Sequence, residues 1–166
     1  MRWLMKWVNY RTTHLEDFVD ELYKRLNIQR PEQLTVDEVS SALRLIIHPG
    51  PTSCTFGDGQ ILTIFLDKSL DETGKWIDFL HELCHVLRHA GNQFSLTRAM
   101  RAWQECDADK FVLYASMPFL MLRKINLPSE PGAATELIST TFRVPIELAH
   151  MRYQQILRRL YYAMWG

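Results

Sequence analysis

Cysteine is scarce in this chain. Cys54, Cys84 and Cys106 are odd in number and form no C-x-x-C pair, which excludes a disulfide framework and points to a reducing compartment. Net charge is absent as well: 19 Lys and Arg stand against 19 Asp and Glu. No overall field draws such a chain to phosphates, which argues against unspecific or direct nucleic-acid binding. Long apolar runs are missing too. Nothing approaches the ~20 residues of a membrane span, and the apolar start Met1–Val8 is broken by Lys6 and too short for a signal segment. The expected location is cytoplasmic, with no membrane partner. There are no repeats and no low-complexity tract. What is present is ordinary globular material: 166 residues, 47% hydrophobic and 23% charged, enough for one domain with a sizeable core, or one domain and a small appendage.

The punctuation of the chain predicts an α+β order. Thr13-His14-Leu15-Glu16 has the form of a capping box, and Leu15, Phe18, Val19, Leu22 and Leu26 follow at helical spacing to about Asn27. Thr35-Val36-Asp37-Glu38 opens a short second helix to about Ala42. Branched residues from Leu43 to Ile47, closed by Pro49-Gly50-Pro51, read as a strand and turn. Ser53 to Phe56, a hairpin turn at Gly57-Asp58-Gly59, and Gln60 to Leu66 complete a small antiparallel sheet. His48, at a strand end, reads as solvated. A helix from about Gly74 to His89 follows, with Gly91 as its stop signal. A loop over Asn92–Leu96 then leads to a helix from about Thr97 to Met117, ended by Pro118. Ser129-Glu130-Pro131-Gly132 marks a boundary between residues 1–128 and a C-terminal helical subdomain, 129–166. There, Ala133–Thr140 and Pro145–Tyr162 have the rhythm of a helix-turn-helix.

The chemistry centres on His81-Glu82-Leu83-Cys84-His85. On a helix this H-E-x-x-H places two imidazoles one turn apart, His85 about 40° from His81, with Glu82 near 100°. Trp76, Phe79, Leu80, Leu83, Val86, Leu87 and Ala90 fall on the other side of the wheel, so one face can be buried while the other presents ligands. A catalytic zinc site requires three protein ligands and an open position. Glu105, on the next helix, is the best third ligand. Asp109 shares its face at i+4 and is placed to accept a hydrogen bond from a ligand histidine. Asp107 points nearly the opposite way and ranks lower as a ligand. His89, about 6 Å further along a straight helix than His85, is a poor ligand and fits an outer or cleft-wall position better. Two imidazoles and one carboxylate suit zinc, one ion per chain. Glu82, beside the metal rather than on it, is the expected general base for peptide hydrolysis. The edge of the sheet, at Gln60–Leu66, is the expected seat of an extended substrate. Cys84 and Cys106 are expected to be buried packing residues.

With these residues in place, the chain resembles the ImmA/IrrE family of metallopeptidases. The resemblance rests on Phe79-Leu80-His81-Glu82-Leu83-Cys84-His85 with His89, on Glu105-x-x-Ala108-Asp109-x-Phe111, on Met117-Pro118, and on Phe142-x-Val144 followed by Arg152. It covers most of the chain from Leu43 onward. Cys84 stands where a small residue is common and Asp109 where Asn is often seen, and neither change removes a ligand. The resemblance implies a zincin-like fold with the sheet packed on the H-E-x-x-H helix, and a zinc endopeptidase of narrow specificity. By position, His81, His85 and Glu105 would bind zinc and Glu82 would act as base. The short length is similar to that of the phage and mobile-element branch, for which a helix-turn-helix repressor is the implied substrate and anti-repression the implied role. A competing reading is a DNA- or repressor-binding regulator with a structural or vestigial metal site. Its support is the C-terminal cluster of Arg143, Arg152, Arg158 and Arg159 against Glu147.

Overall fold

A computed structural model describes residues 7–57, 62–89 and 96–165. Among these are six α-helices of two turns or more, a single helical turn and three strands, an α+β composition. The chain divides into two compact units, one formed by residues 33–112 and the other by 1–32 together with 113–166.

In the first unit, α2 (Val36–Leu43) is capped by the Thr35 hydroxyl and closed by Arg44 in the left-handed region at φ 57°. That closure moves the following strand downstream. β1 is Ile46–Gly50, not 43–47, and it runs through the Pro49-Gly50 expected as a turn. β2 is Cys54–Gly57 and β3 is Leu62–Asp67. The strand order is β1-β3-β2; β3 pairs antiparallel with β2 but parallel with β1, so the sheet is mixed rather than antiparallel. The reason lies in β3, whose Ile64 and Leu66 are buried and which therefore takes the middle. β1 is left at an edge, where a proline without an N–H is tolerated. Placing β3 in the middle also corrects the expected edge: 62–67 is the central strand, and the edges are β1 and β2. The hairpin expected at 57–59 falls largely outside the described residues, as do Gly91 and most of the 92–96 loop.

Helix α3 (Glu72–Arg88) begins where the Asp71 carboxylate accepts the Gly74 N–H, and it packs on β2, β3 and α2. Its buried residues Trp76, Phe79, Leu80, Leu83 and Cys84 recur at three- and four-residue intervals, so the apolar stripe locks one face into the unit. Ser53 ties the sheet to this helix: its hydroxyl donates to Asp78 Oδ2 at 2.6 Å and accepts the Asp67 N–H at 3.0 Å. Helix α4 (Arg98–Ser116) buries Gln104, Ala108, Phe111 and Val112, a stripe at i, i+4, i+7 and i+8.

The second unit contains α1 (His14–Arg25), whose Thr13/Glu16 capping box is formed as the sequence predicts. It also contains the single turn α5 (Phe119–Leu122), which sequence reading missed, α6 (Pro131–Phe142) and α7 (Ile146–Trp165). α6 and α7 pack together, with Arg143 at φ 53° making the turn. A buried charge network joins α1 to α7. Arg152 Nη1 donates to Glu16 Oε1 at 2.7 Å, Tyr10 donates to the same oxygen at 2.6 Å, and Arg159 reaches Oε2 at 3.1 Å.

Candidate metal centre

Helix geometry alone brings His81 and His85 together, since residues four apart stack on one face. Their Nε2 atoms lie 3.2 Å apart. Glu105 of α4 closes the group, with Oε2 at 3.1 Å from His81 Nε2 and Oε1 at 3.5 Å from His85 Nε2. A ligand set around zinc, with bonds of about 2.0–2.2 Å and tetrahedral angles, has donors about 3.3–3.5 Å apart. The closest approaches are near that spacing but end on different Glu105 oxygens; with one atom taken from each residue, the three donors lie within 4.8 Å of one another, a group that could hold a metal ion. Burial, and then the neighbouring His81, hold His85 below the usual imidazole range. The ring thus keeps the neutral form that a ligand needs.

Glu82 leaves α3 beside His81 on the side of the sheet. Thr55 of β2 donates its hydroxyl to Glu82 Oε2 at 2.7 Å, which fixes the carboxylate. Burial pushes Glu82 above the usual carboxylate range, against the opposing pull of the Thr55 bond and the nearby His81. Sequence reading did not find Thr55, because a threonine in a strand carries no motif.

The outer residues are placed less simply. Asp109 faces His81, but its Oδ1 is 3.8 Å from Nδ1, beyond hydrogen-bond reach, and its side chain is 80% exposed. His89 is not on the helix at all: it is the C-cap, with extended backbone at φ −112° and ψ 96°. Leaving the helical path turns its ring back on His85, Nδ1 to Nδ1 at 2.9 Å, where a straight helix would carry it away. Asp107 also differs from the wheel reading. It does not point away from α3, because the buried Ala108 faces inward and Glu105 and Asp107 straddle it. Asp107 receives Arg88 through two bonds, Nε to Oδ2 at 2.8 Å and Nη2 to Oδ1 at 3.2 Å, and meets His89 Nε2 at 3.1 Å. Burial raises the Asp107 carboxyl, but these bonds outweigh it and hold the group below its usual range.

Cys84 is buried as expected, its thiol pushed up to about 12 by burial and then by Asp107. Cys106 is exposed, contrary to expectation, because it lies about 200° around α4 from the buried Gln104. Among the described residues, no helix is long and apolar enough to cross a membrane.

Two histidines one turn apart, an acid from a second helix and a carboxylate beside the first histidine are consistent with an H-E-x-x-H metal centre. The chain belongs to the ImmA/IrrE family: the family described as IrrE N-terminal-like domain (Peptidase_M78) matches residues 43–154. Its membership is that of a metallopeptidase. It is 32% identical over 154 residues to the uncharacterized protein YqaB of Bacillus subtilis (strain 168), covering 92% of this chain and 90% of that protein. It is 35% identical over 150 residues to the phage-like element PBSX protein XkdA of the same organism, covering 89% of this chain and 75% of XkdA. No solved structure matches the chain.

Proposed function

We propose that this chain is an intracellular zinc endopeptidase with a zincin-like active site, and that its substrate is a helix-turn-helix repressor. The observation that carries the reading is the convergence of His81, His85 and Glu105, whose donor atoms, one from each residue, lie within 4.8 Å of one another, beside a carboxylate held by Thr55. His81 and His85 would hold the ion through Nε2, and Glu105 through its carboxylate. Bound zinc would supply Lewis acidity, making water acidic enough to ionise near neutrality and polarising an amide carbonyl. Glu82 takes the proton of the attacking water and delivers it to the leaving amine, a task suited to a carboxyl already raised by burial. With Oε2 fixed by Thr55, Oε1 is the oxygen that carries the proton. An extended substrate segment would lie along β2, the edge strand that touches Glu82, and gain main-chain hydrogen bonds there. The repressor as substrate rests on family resemblance, with the phage-like element relative as support.

The regulator reading keeps part of its support. Arg152 is fully buried on Glu16, Arg159 reaches Glu16 and the Arg11 carbonyl, and Arg143 donates to the Pro31 and Glu32 carbonyls. Of the four arginines only Arg152 is buried; Arg159 is partly exposed, and Arg143 and Arg158 face solvent.

Glu82→Gln tests the mechanism. Purified variant and wild type should bind zinc equally, while cleavage of a co-expressed repressor falls by about 10²–10⁴-fold. Wild-type cleavage by the variant would rule out Glu82 as base. Full derepression without cleavage would favour the regulator.

A further inference from the structure

We propose that His89 and Asp107 form a one-way hydrogen-bonded relay that sets the tautomer and orientation of His85, so that they are positioning residues for one ligand only. The inference rests on His85 being a metal ligand through Nε2.

The polarity follows from proton counting. Asp107 is held ionised by the Arg88 fork, and an ionised carboxylate only accepts. Its contact with His89 Nε2 at 3.1 Å therefore requires the proton on that nitrogen. A neutral His89 then has a lone pair at Nδ1, which lies 2.9 Å from His85 Nδ1. His85 must carry its proton at Nδ1 to donate there, and this leaves the Nε2 lone pair aimed at His81 and Glu105. Each of the two imidazoles then has one donor and one acceptor in the right place, and Asp107 accepts at the end of the chain. Reversal would require a protonated Asp107 or a second proton on His89, at Nδ1. Water cannot easily substitute, since the side chains of His89 and Asp107 are 1% and 13% exposed. The sulfhydryl of Cys84 adds a weak contact to Asp107 Oδ2 at 3.8 Å.

Among the described residues the other histidine has no such support. Among the described residues, the carboxylate near His81 Nδ1 is that of the exposed Asp109, at 3.8 Å. The two imidazoles thus differ: behind His85 stand His89 and Asp107, while among the described residues His81 has no hydrogen bond at Nδ1. Cys84, His89 and Asp107 also lie close enough to resemble a second ligand group. The relay accounts for their convergence without an ion, because Arg88 already neutralises Asp107 and the thiol is pushed up to about 12.

The experiment measures zinc dissociation constants by chelator competition for wild type, His89→Phe, His89→Gln, Asp107→Asn and Asp109→Asn, with circular dichroism to check folding. Loss of an outer partner of a ligand histidine typically costs about 10- to 100-fold in metal affinity. His89→Phe should show that loss, His89→Gln should recover part of it through its amide oxygen, and Asp109→Asn should stay within about threefold of wild type. Nitrogen-15 spectra of the metal-free wild type should place protons at His85 Nδ1 and His89 Nε2. This tautomer assignment decides the proposal even where a variant fails to fold. Wild-type affinity in a folded His89→Phe, an equal loss in Asp109→Asn, or a proton at His89 Nδ1, would overturn the relay. A wild type that binds no stoichiometric zinc would instead refute the peptidase reading, and the spectra would still report on the relay.

Discussion

Replacing Glu16 by glutamine should destabilise the protein more than replacing its partner Arg152 by methionine, and the difference should depend on pH. Both side chains are fully excluded from solvent. Glutamine keeps a carbonyl oxygen for the Thr13 N–H, so the capping box survives and only the charge is lost. Arg152 is then a buried cation with Gln155 and the Tyr114 ring, 4.8 Å away, as its remaining company; among the described residues its Nε and Nη2 have no hydrogen-bond partner. Breaking a buried pair in this way costs about 3–5 kcal/mol. In Arg152→Met the carboxylate keeps Tyr10, Thr13 and Arg159, which should limit the cost to about 1–3 kcal/mol. The double variant should cost less than the sum, since neither charge is stranded. Burial alone would raise Glu16, but Arg152 and the bonds from Tyr10 and Thr13 hold it below its usual range. A depressed carboxyl contributes stability above its unfolded pKa and loses it as pH falls through the folded one. Wild type and Glu16→Gln should therefore converge in acid. Urea unfolding at pH 7, followed by circular dichroism, should show the Glu16→Gln midpoint about 1–3 M lower. A penalty under ~1 kcal/mol at pH 7, or one that grows as pH falls, would refute the reasoning.

Asp20 gives the opposite sign. Burial pushes its carboxyl up to about 6 despite the Leu120 N–H bond, so its ionised form opposes folding as pH rises above its unfolded pKa. Asp20→Asn, which keeps the acceptor, should raise stability by ~1 kcal/mol at pH 8 after allowance for partial exposure, and by nothing near pH 3; a loss at pH 8 would contradict it. Alkylation of the native protein at pH 8 should modify Cys54 and Cys106 and spare Cys84, whose thiolate is scarcer by roughly 10³-fold at a pKa of about 12. Intact-mass spectra showing Cys84 modified at the rate of the others would disprove its protection.

Relations confined to one helix could be read directly from the residues. His81 and His85 share a face because 3.6 residues make a turn, and Trp76, Phe79, Leu80 and Leu83 bury the other side for the same reason. Caps at Thr13 and Thr35 were equally local, since a side-chain oxygen and an N–H three residues on meet without help from the rest of the fold. Glu105 was found because a ligand must come from somewhere with a carboxylate, but its distance to the histidines depends on how α4 lies against α3.

Only tertiary structure decided the rest. Whether Asp107 reaches α3 depends on which stripe of α4 is buried, and the same stripe leaves Cys106 in solvent. His89 became a partner of His85 because α3 stops one residue before it, a termination that helical angles extrapolated along the chain cannot foresee. Thr55 meets Glu82, and β1 runs parallel to β3, because the most apolar strand took the centre of the sheet. Covalent geometry fixes angles within an element. The meeting of two elements is set by the burial of their combined apolar surface, which no single stretch of sequence encodes.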